Sequence, residues 1–452
     1  MKYLLALAAL LTAATTIQQA SAQQQPWVAD RRYGEGIGIR AGDLELHPGI
    51  SGEFGYDSNY FQRAPSEDVA GALRLRVSPH LTLSTLGAQR REGSGAGAPP
   101  TVNFQAGLFA DYNEFFATES RFADDISQQR NLEGGANLKL DILPERPFGI
   151  DIHGGFTRVV DPSNSAILDS AFDRDTVVVG PGINWRPGGG MFEWRLGYQY
   201  TYNVFERTAF KNLNNSEHQL ETSGRWRFFP RTAVLYDAEY AFTNYSAART
   251  QNNGEALRAR MGLNGLVTNR FSVLAMLGWA QSYYDNTVAP PQNYDDLIAA
   301  TEIKYFILPQ ASLDPTGATL GLSSIALGYT RDFRGSYLGD FTQNDRGYLT
   351  LEYFAAGSVL LSLQGGLAQV SYPQSFAPGG GVALNPSFSE VRADASLFGE
   401  YRFSDSIAMN STLRFDGNLS DSVLRTDPAD ATAVDNLKFS RVQAWLGLRW
   451  FM

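Results

Sequence analysis

The sequence predicts an all-β protein, a transmembrane antiparallel β-barrel of the outer membrane with about 18 strands. Three observations lead to this fold class. Segments of about ten residues alternate between apolar and polar side chains along most of the chain. After the N-terminus, no apolar run approaches the roughly 18–20 residues that a membrane-spanning helix needs. The connections between segments alternate between short and long, which is typical of outer-membrane barrels.

Residues 191–204 show the alternation most clearly. Every even-numbered side chain from Phe192 to Val204 is apolar or aromatic, whereas the odd-numbered ones from Glu193 to Asn203 are polar or glycine. Successive side chains of a strand point to opposite faces, so this segment is predicted to be a strand between two different environments. The apolar face then meets either a protein core or lipid.

The composition excludes several classes of function. The chain has 452 residues, a net charge of −10 and no cysteine. Disulfides, a thiolate nucleophile and Cys-ligated metals are therefore excluded. The acidic balance argues against a nucleic-acid partner, which needs a basic surface. Aromatic residues make up 12% and glycine occurs 44 times, a combination that suits a barrel of half-apolar strands with aromatic belts. No cofactor is predicted.

The N-terminus predicts export. Lys2 is followed by the short apolar stretch Leu4–Leu11 and by the small residues Ala20-Ser21-Ala22, which is the pattern of a cleaved signal peptide. We expect residues 1–22 to be removed, residues 23–43 to form a periplasmic lead-in, and residues 44–452 to form the barrel. The expected location is the cell outer membrane.

Eighteen segments carry an apolar face at every second residue. They cover residues 44–56, 73–83, 102–112, 132–142, 148–156, 177–185, 192–204, 220–228, 234–242, 257–263, 271–279, 297–307, 318–331, 349–355, 359–363, 391–403, 407–415 and 442–452. The alternative is a soluble β-sandwich, which uses shorter strands.

The connections sort into two lengths. Tight ones lie at 144–147, 187–190, 230–231, 268–270, 356–358 and 404–406, and long polar ones near 57–68, 116–130, 159–175, 206–217, 245–255, 284–296, 331–346, 372–389 and 418–437. Short turns on the periplasmic side and long outer loops are expected of an outer-membrane barrel. The connections 87–100 and 309–317 are longer than this pattern predicts.

Aromatic residues gather towards strand ends, as in an interfacial girdle. They include Tyr198, Tyr200, Tyr202, Tyr240, Phe242, Tyr283, Tyr284, Trp445 and Trp450.

The first predicted strand ends in a short motif, with Tyr56, Asp57, Asn59 and Phe61 in a Tyr-Asp-x-Asn-x-Phe pattern. Here the Asp and Asn side chains are predicted to cap a turn, because the full set of calcium-loop ligands is missing. The motif, with the preceding residues 36–48, resembles the β-barrel porin 2 family of bacterial outer-membrane proteins. The resemblance implies a Gram-negative outer-membrane barrel without catalytic residues. It also implies a link to exopolysaccharide biosynthesis and export, with periplasmic and inner-membrane export proteins as partners.

The C-terminal segment Ser440–Met452 resembles the signal that the barrel assembly machinery recognises, a last strand of alternating apolar residues. That signal usually ends in Phe. Here the last outward residue is Met452, and Phe451 precedes it.

The polar face of the strands carries the candidate functional residues. By parity we expect these side chains to line the lumen: Arg74, Arg76, Glu193, Arg195, Glu221, Arg225, Arg227, Arg258, Arg260, Glu302, Lys304, Arg392, Asp394 and Arg414. They either form ion pairs that stiffen the wall or bind an anionic solute or polymer. Because both signs occur, the lining favours a polar, hydrated, sugar-like permeant over an ion of one sign.

Catalysis is not expected. His47, His80 and His153 have lumen parity and His218 lies near a rim, but no catalytic triad spacing and no His-Glu-x-x-His motif occurs. Four hypotheses follow for the function. The first is a conduit for exopolysaccharide export, and the second is a general or solute-specific diffusion porin. The others are a barrel enzyme and a plugged scaffold or adhesin. Predicted partners are outer-membrane lipid, the assembly machinery through Ser440–Met452, and the export proteins.

Overall fold

The structure is a computed structural model. It describes residues 38–86, 101–162, 171–187, 190–246, 251–307, 323–336, 339–355, 358–376, 383–425, 430 and 432–452. The predicted signal peptide, most of the lead-in and the connection 87–100 lie outside the described residues, as does the connection 309–317.

One sheet of 19 strands dominates the described chain. One of them, Ile39–Ala41, only lies against the start of the first long strand. The other 18 form a wall: β1 Leu44–Asp57, β2 Ala72–Thr85, β3 Val102–Ala117, β4 Asn131–Ile142, β5 Phe148–Pro162, β6 Ala171–Trp185, β7 Phe192–Phe205, β8 Asn215–Phe229, β9 Thr232–Tyr245, β10 Gly254–Leu266, β11 Phe271–Tyr284, β12 Asp295–Phe306, β13 Ser324–Gly335, β14 Phe341–Ala355, β15 Val359–Tyr372, β16 Phe388–Ser404, β17 Ile407–Asn418 and β18 Phe439–Phe451.

The wall is closed. Each strand pairs antiparallel with the next, and β18 pairs with β1 from Gly49↔Phe451 to Asp57↔Gln443. Closure leaves no free sheet edge, as lipid requires of a membrane-spanning sheet. The prediction of about 18 strands is confirmed, and the soluble sandwich is wrong.

Short elements lie in the long connections. They are the 3-10 helices Ser120–Phe122 and Thr208–Leu213, the helix α1 Ala123–Ser127, and the small hairpins Ser375–Phe376 with Ala383–Asn385 and Val423–Arg425 with Val434–Asn436. Within the described part of the chain, no helix has the length and apolar character to cross a membrane.

The outward face of the wall is apolar. Leu277 and Leu327 expose 65% and 62% of their surface, which would be costly in water. The same face carries Ile50, Leu108, Leu132, Ile183, Leu220, Met261, Leu297, Leu361, Leu397, Leu413, Leu446 and Leu448. A continuous apolar band around a closed barrel is a lipid-facing surface. The protein is therefore an outer-membrane β-barrel.

Exposed aromatic side chains border this band on both sides. Phe148, Trp226, Phe229, Phe271, Phe403 and Trp450 lie at the tight-turn end, and Tyr56, Tyr112, Phe116, Tyr202, Phe242, Tyr283 and Tyr329 at the long-loop end. The prediction is wrong for Trp445 and Tyr284. Trp445 has the parity of the inward face of β18 and is 7% exposed, and Tyr284 has the inward parity of β11.

β1 begins and β18 ends at the end of the tight turns, which is the periplasmic end of such a barrel. The nine long polar connections predicted above lie at the other, outer end. β2 ends and β3 begins at the periplasmic end, as do β12 and β13, so the connections 87–100 and 309–317 remain exceptions to the pattern.

Two outer connections are shorter than predicted. The expected loop 159–175 is reduced to residues 163–170, because β5 continues to Pro162 and β6 begins at Ala171. The expected loop 331–346 contains only residues 336–340, because β13 and β14 continue further towards the outer end.

Candidate functional site in the barrel lumen

All fourteen candidate side chains lie on the inward face of the wall, opposite the exposed apolar residues. Burial divides them into two groups. Arg74, Arg76 and Arg225 are 2–6% exposed, so neighbouring side chains cover them. By contrast, the side chains of Arg392 and Asp394 are each 42% exposed. Only members of the second group are in a position to meet a solute.

The buried group builds a rigid wall around the β1–β18 junction. The guanidinium groups of Arg74 and Arg76 lie 4.9 and 4.6 Å from the ring of Trp445. Arg74 also donates two hydrogen bonds, of 3.0 and 2.8 Å, to Asn113 Oδ1. Trp445 lies over Gly55 of β1, where a Cβ atom would collide with the ring. These arginines are structural, because their donors and their π contacts are used within the wall.

The Tyr-Asp-x-Asn-x-Phe motif fastens the same junction. Asp57, fully buried, accepts a forked pair of hydrogen bonds from Arg441 of β18 and one of 2.8 Å from Gln443. Its Oδ1 also accepts the backbone N–H of Asn59. Asn59 Nδ2 donates to the carbonyls of Arg63 and Ser440. The turn-capping interpretation of Asp57 and Asn59 is therefore the one that their contacts support.

The first outer loop, residues 58–71, packs inward from this junction. Tyr60 is 2% exposed, and its ring centroid lies 4.8 Å from that of Phe115, an inward residue of β3. Phe122 and Ile126, from the next outer connection, pack in the same cluster. The loop thus covers part of the lumen at the outer end.

Elsewhere in the lumen, ion pairs join strands that are not neighbours. The paired side chains pass over a glycine in the strand between them. Arg195 of β7 donates two hydrogen bonds, of 3.0 and 2.8 Å, to Asp151 of β5. The pair crosses β6 at Gly182, where a Cβ atom would lie 2.6 Å from Asp151 and 2.7 Å from Arg195. Arg195 also pairs with Glu221 of β8. The missing side chain on β6 is what allows the two charges to meet.

The same arrangement recurs on the other side of the barrel. Arg346 Nη2 lies 2.7 Å from Asp394 Oδ2 and crosses β15 at Gly366. Tyr348 Oη donates a 2.9 Å hydrogen bond to Glu302 and crosses β13 at Gly328. Glu302 also pairs with Lys304 at 3.3 Å. Charges of opposite sign are therefore matched locally around the lumen.

The outer ends of β13 and β14 leave the wall. Pairing of β12 with β13 stops at Ala299↔Arg331, whereas β13 and β14 stay paired as far as Gly335↔Phe341. We call residues 332–336 and 339–344 the inner hairpin. Phe333 contacts Arg258 of β10, whose guanidinium lies 4.4 Å from the ring centroid and donates a 2.6 Å bond to the Phe333 carbonyl. The inner hairpin therefore lies on the lumen side of β10–β12.

Arg258 is the anchor of the inner hairpin. Besides Phe333, it pairs with Asp332 at 3.3 Å and with Glu239 of β9. An aromatic group seals the hairpin to the wall: the rings of Phe333 and Tyr294 stack at 4.4 Å, and Phe341 meets Tyr294 edge-on at 5.4 Å. Such contacts fix one orientation of the hairpin.

Outer connections hold the tip of the inner hairpin. Asp340 accepts a 2.7 Å hydrogen bond from the Gln292 N–H and one of 3.2 Å from Asn252 Nδ2. Asn252 Oδ1 in turn accepts the N–H groups of Val288 and Ala289. Burial raises the pKa of Asp340 from its usual 3.8 to about 6. We call Asp340, Asn252 and Gln292 the loop clamp.

Three of the four histidines take up structural positions. His47 Nδ1 lies 3.0 Å from the Met452 carbonyl oxygen, and His153 lies within hydrogen-bond range of Gln199. His218 hydrogen-bonds Tyr198 on the outward face of the rim. Among the residues that the structure describes, no three His, Asp or Glu side chains are grouped as metal ligands would be.

No protein-family model and no curated protein matches the chain. Solved structures similar in fold include OccK7 (OpdD) of Pseudomonas aeruginosa, with 9% identity, 91% of this chain and 99% of that chain covered, and a TM-score of 0.46. OccAB4 of Acinetobacter baumannii has 10% identity, coverages of 90% and 98%, and a TM-score of 0.44. A bacterial polysaccharide outer membrane secretin has 8% identity, coverages of 89% and 97%, and a TM-score of 0.33. Likeness at this level carries no inference about function.

Two lumen residues are missing from the expected lining. Arg346 and Tyr348 join the ion pair and the hydrogen bond described above, but both precede residue 349, where the predicted strand begins. Glu239, by contrast, has inward parity within its predicted strand 234–242, and it pairs with Arg258. Arg334 and Thr342 gave no such signal, because the sequence does not reveal that their hairpin leaves the wall.

Proposed function

We propose that this protein is a passive diffusion channel of the outer membrane for small polar solutes. The observation that carries the proposal is the locally neutral lumen. A closed wall of 18 strands leaves room for an aqueous path, and the charges along it are paired, as in Arg195 with Asp151 and Arg346 with Asp394. Such a lining hydrates a polar solute without strongly attracting ions of one sign.

The half-exposed charges would supply the contacts with the permeant. Arg392 and Asp394 offer donors and acceptors to water or to solute hydroxyl groups. Exchange between these partners costs little, because each hydrogen bond lost to water is replaced by one to the wall. The structural arginines around Trp445 take no part in this exchange.

The exopolysaccharide role implied by the family resemblance is the less favoured hypothesis. It rests on the Tyr-Asp-x-Asn-x-Phe motif, whose residues have a structural task at the β1–β18 junction. The first outer loop and the inner hairpin also lie over the lumen at the outer end. A polymer would have to pass both, whereas a small solute needs only the space beside them.

For the last strand we retain the proposal that the barrel assembly machinery recognises Ser440–Met452. Its outward residues Val442, Leu446, Leu448, Trp450 and Met452 form the alternating apolar series that such a signal requires. Phe451 faces inward beneath Arg449, 4.5 Å from its guanidinium.

Purified protein in planar bilayers tests the channel. We expect stable, ohmic conductance with a weak preference between K⁺ and Cl⁻, and liposome swelling that slows as sugars become larger. Absence of conductance at every voltage would contradict the proposal and favour a plugged barrel. Deletion of the gene should slow uptake of small solutes and leave surface polysaccharide unchanged, and the opposite result would restore the export hypothesis.

A further inference from the structure

The two faces of the inner hairpin differ in what they contact. Phe333 and Phe341, on one face, pack against Tyr294 and the wall of β10–β12. Side chains alternate along a strand, so Arg334, Thr342 and Asn344 belong to the other face. Asp332 lies on this second face as well, opposite Asn344, and reaches Arg258 of β10. Arg334, nearer the tip, lies close enough to Tyr372 of β15 and Arg392 of β16 to interact with them electrostatically.

Arg334 lacks the acidic partner that most lumen arginines have. Within the described residues it makes no hydrogen bond and no ion pair. The groups that act on it electrostatically are Tyr372 of β15 and Arg392 of β16. Asp332, the nearest carboxylate along its own strand, pairs with Arg258 and Arg260 instead. The site around Arg334 therefore holds a positive charge that the wall does not balance.

Arg392 brings a second guanidinium to the same place. It donates hydrogen bonds of 2.9 and 2.8 Å to Glu390 Oε2 and one of 3.1 Å to Tyr372 Oη. Glu390 is fully buried and balances Arg392, while 42% of the Arg392 side chain stays exposed. Since this pair is neutral, the local surplus is the one charge of Arg334.

Two polar atoms on the same face of the hairpin also lack partners. Thr342 Oγ1 and Asn344 Oδ1 are buried and make no hydrogen bond within the described residues, and Thr342 is 4% exposed. Thr342 lies directly opposite Arg334 in the β13–β14 pairing, and Asn344 follows two residues later, about 7 Å along the strand. Buried polar atoms are nearly always bonded, so these two are positions at which a group from outside the protein would complete the bonding.

We propose that this face binds a small polyhydroxy carboxylate. The carboxylate would pair with Arg334 and Arg392, whose charges act on each other. Thr342 would donate to the ligand and Asn344 would accept from a hydroxyl group about 7 Å away. A carboxylate at one end of a hydroxylated carbon chain matches this spacing. The proposal rests on the channel function and names the solute class that the channel favours.

Three six-carbon probes distinguish the contribution of the carboxylate charge to binding from that of the hydroxyl groups. Gluconate carries both, sorbitol carries only the hydroxyl groups, and hexanoate carries only the carboxylate. In single-channel recordings of the wild-type protein, we expect gluconate to block the current at concentrations at least tenfold lower than the other two. Equal block by hexanoate would overturn the role of Thr342 and Asn344, and equal block by sorbitol would overturn that of Arg334.

Variants test whether gluconate blocks the current at the site around Arg334. Arg334→Gln should raise the half-blocking gluconate concentration about tenfold, since a charge-assisted hydrogen bond is lost. Thr342→Val should raise it less. Arg231→Gln, in a periplasmic turn where the arginine bonds Asn269, should change nothing. An unchanged gluconate block in Arg334→Gln would refute the site.

The site can also be tested apart from the channel. If the wild-type protein does not conduct, the channel proposal fails, and calorimetric titration of the detergent-solubilised barrel with gluconate decides the site alone. Gluconate binding to the wild-type barrel that is lost in Arg334→Gln would support the site. Conduction with equal block by gluconate, hexanoate and sorbitol would instead leave the channel intact and remove the site.

Discussion

Arg258 Nη2 donates a 2.6 Å hydrogen bond to the carbonyl oxygen of Phe333, and this contact joins β10 to the tip of β13 across the lumen side of two intervening strands. The same guanidinium pairs with Glu239 and Asp332. Arg258 therefore holds the base of the inner hairpin against the wall, together with the aromatic group around Tyr294 and the loop clamp at the tip. Its position makes it a determinant of the width of the channel.

Replacing Arg258 by Gln should release the inner hairpin. The change removes the contacts to Phe333, leaves Glu239 without its cation and leaves Asp332 with Arg260 alone, which we expect to destabilise the barrel by about 3 kcal/mol. Single-channel recordings should show altered mean conductance and larger current noise. Arg121→Gln is the matched control, because its ion pairs with Asp68 and Glu119 lie on the exposed surface. Quiet wild-type-like current in Arg258→Gln would show that the hairpin is held by other contacts.

Gly182→Ala tests the ion pairs that cross a strand. The added Cβ would lie 2.6 Å from Asp151 and 2.7 Å from Arg195, so the pair must separate or the strand must shift. We expect a loss of about 1–3 kcal/mol in urea unfolding from lipid vesicles. Gly52→Ala is the control, since a Cβ there meets no atom within 4 Å. Equal stability of the two variants would mean that the lumen pair has room to rearrange.

Asp57→Asn tests the junction that closes the barrel. The substitution keeps the shape of the side chain but leaves the buried Arg441 without a counter-charge, at an expected cost of about 3 kcal/mol. This loss is measured by thermal unfolding, which is followed through the change in gel mobility that the barrel shows when it unfolds on heating. Asp421→Asn removes an exposed pair with Lys438 and should cost less than about 1 kcal/mol. The double variant Asp57→Asn with Arg441→Gln should recover part of the loss, and an additive loss would argue against direct pairing.

Alternation in the sequence was sufficient for the wall and for the direction of its side chains. The parity that places Leu277 outside and Arg258 inside follows from the two-residue period of a strand. Parity does not show how deeply a side chain is buried. Arg74 and Arg392 have the same pattern in the sequence, yet one is sealed beneath Trp445 and the other is half exposed. Their difference depends on which residues of neighbouring strands lie opposite, and that is set by the stagger of the barrel.

The inner hairpin shows a second limit of the sequence. Arg331 interrupts the apolar series, and residues 331–346 are predicted to be a loop, so the sequence does not show that β13 continues to Gly335 after its pairing with β12 has ended. The departure depends on partners far away in the chain, such as Arg258 and Tyr294. Trp445 was misplaced for a related reason: aromatic residues near a strand end usually indicate the membrane interface, but this one fills the space above Gly55.

The stability of the loop clamp should depend on pH through the carboxyl group of Asp340. Its pKa of about 6 in the folded clamp lies above the usual 3.8, so between about pH 4 and pH 6 the closed clamp holds a proton that the opened one releases. The clamp is therefore most stable below this range, and it loses stability as the pH rises through 6. The groups that face the carboxyl are the Gln292 N–H, Asn252 Nδ2, Asp285 and Tyr284.

Hydrogen exchange of residues 285–294 and 339–344 measures this effect. After correction for intrinsic rates, we expect stronger protection at pH 5 than at pH 7.5. Asp340→Asn imitates the protonated carboxyl and should give the same protection at both values, close to that of the wild-type protein at pH 5. If the variant keeps the full pH dependence, another group must titrate. Asp285 would then be the next to replace, because its charge is the one that acts on Asp340 within the same set of loops.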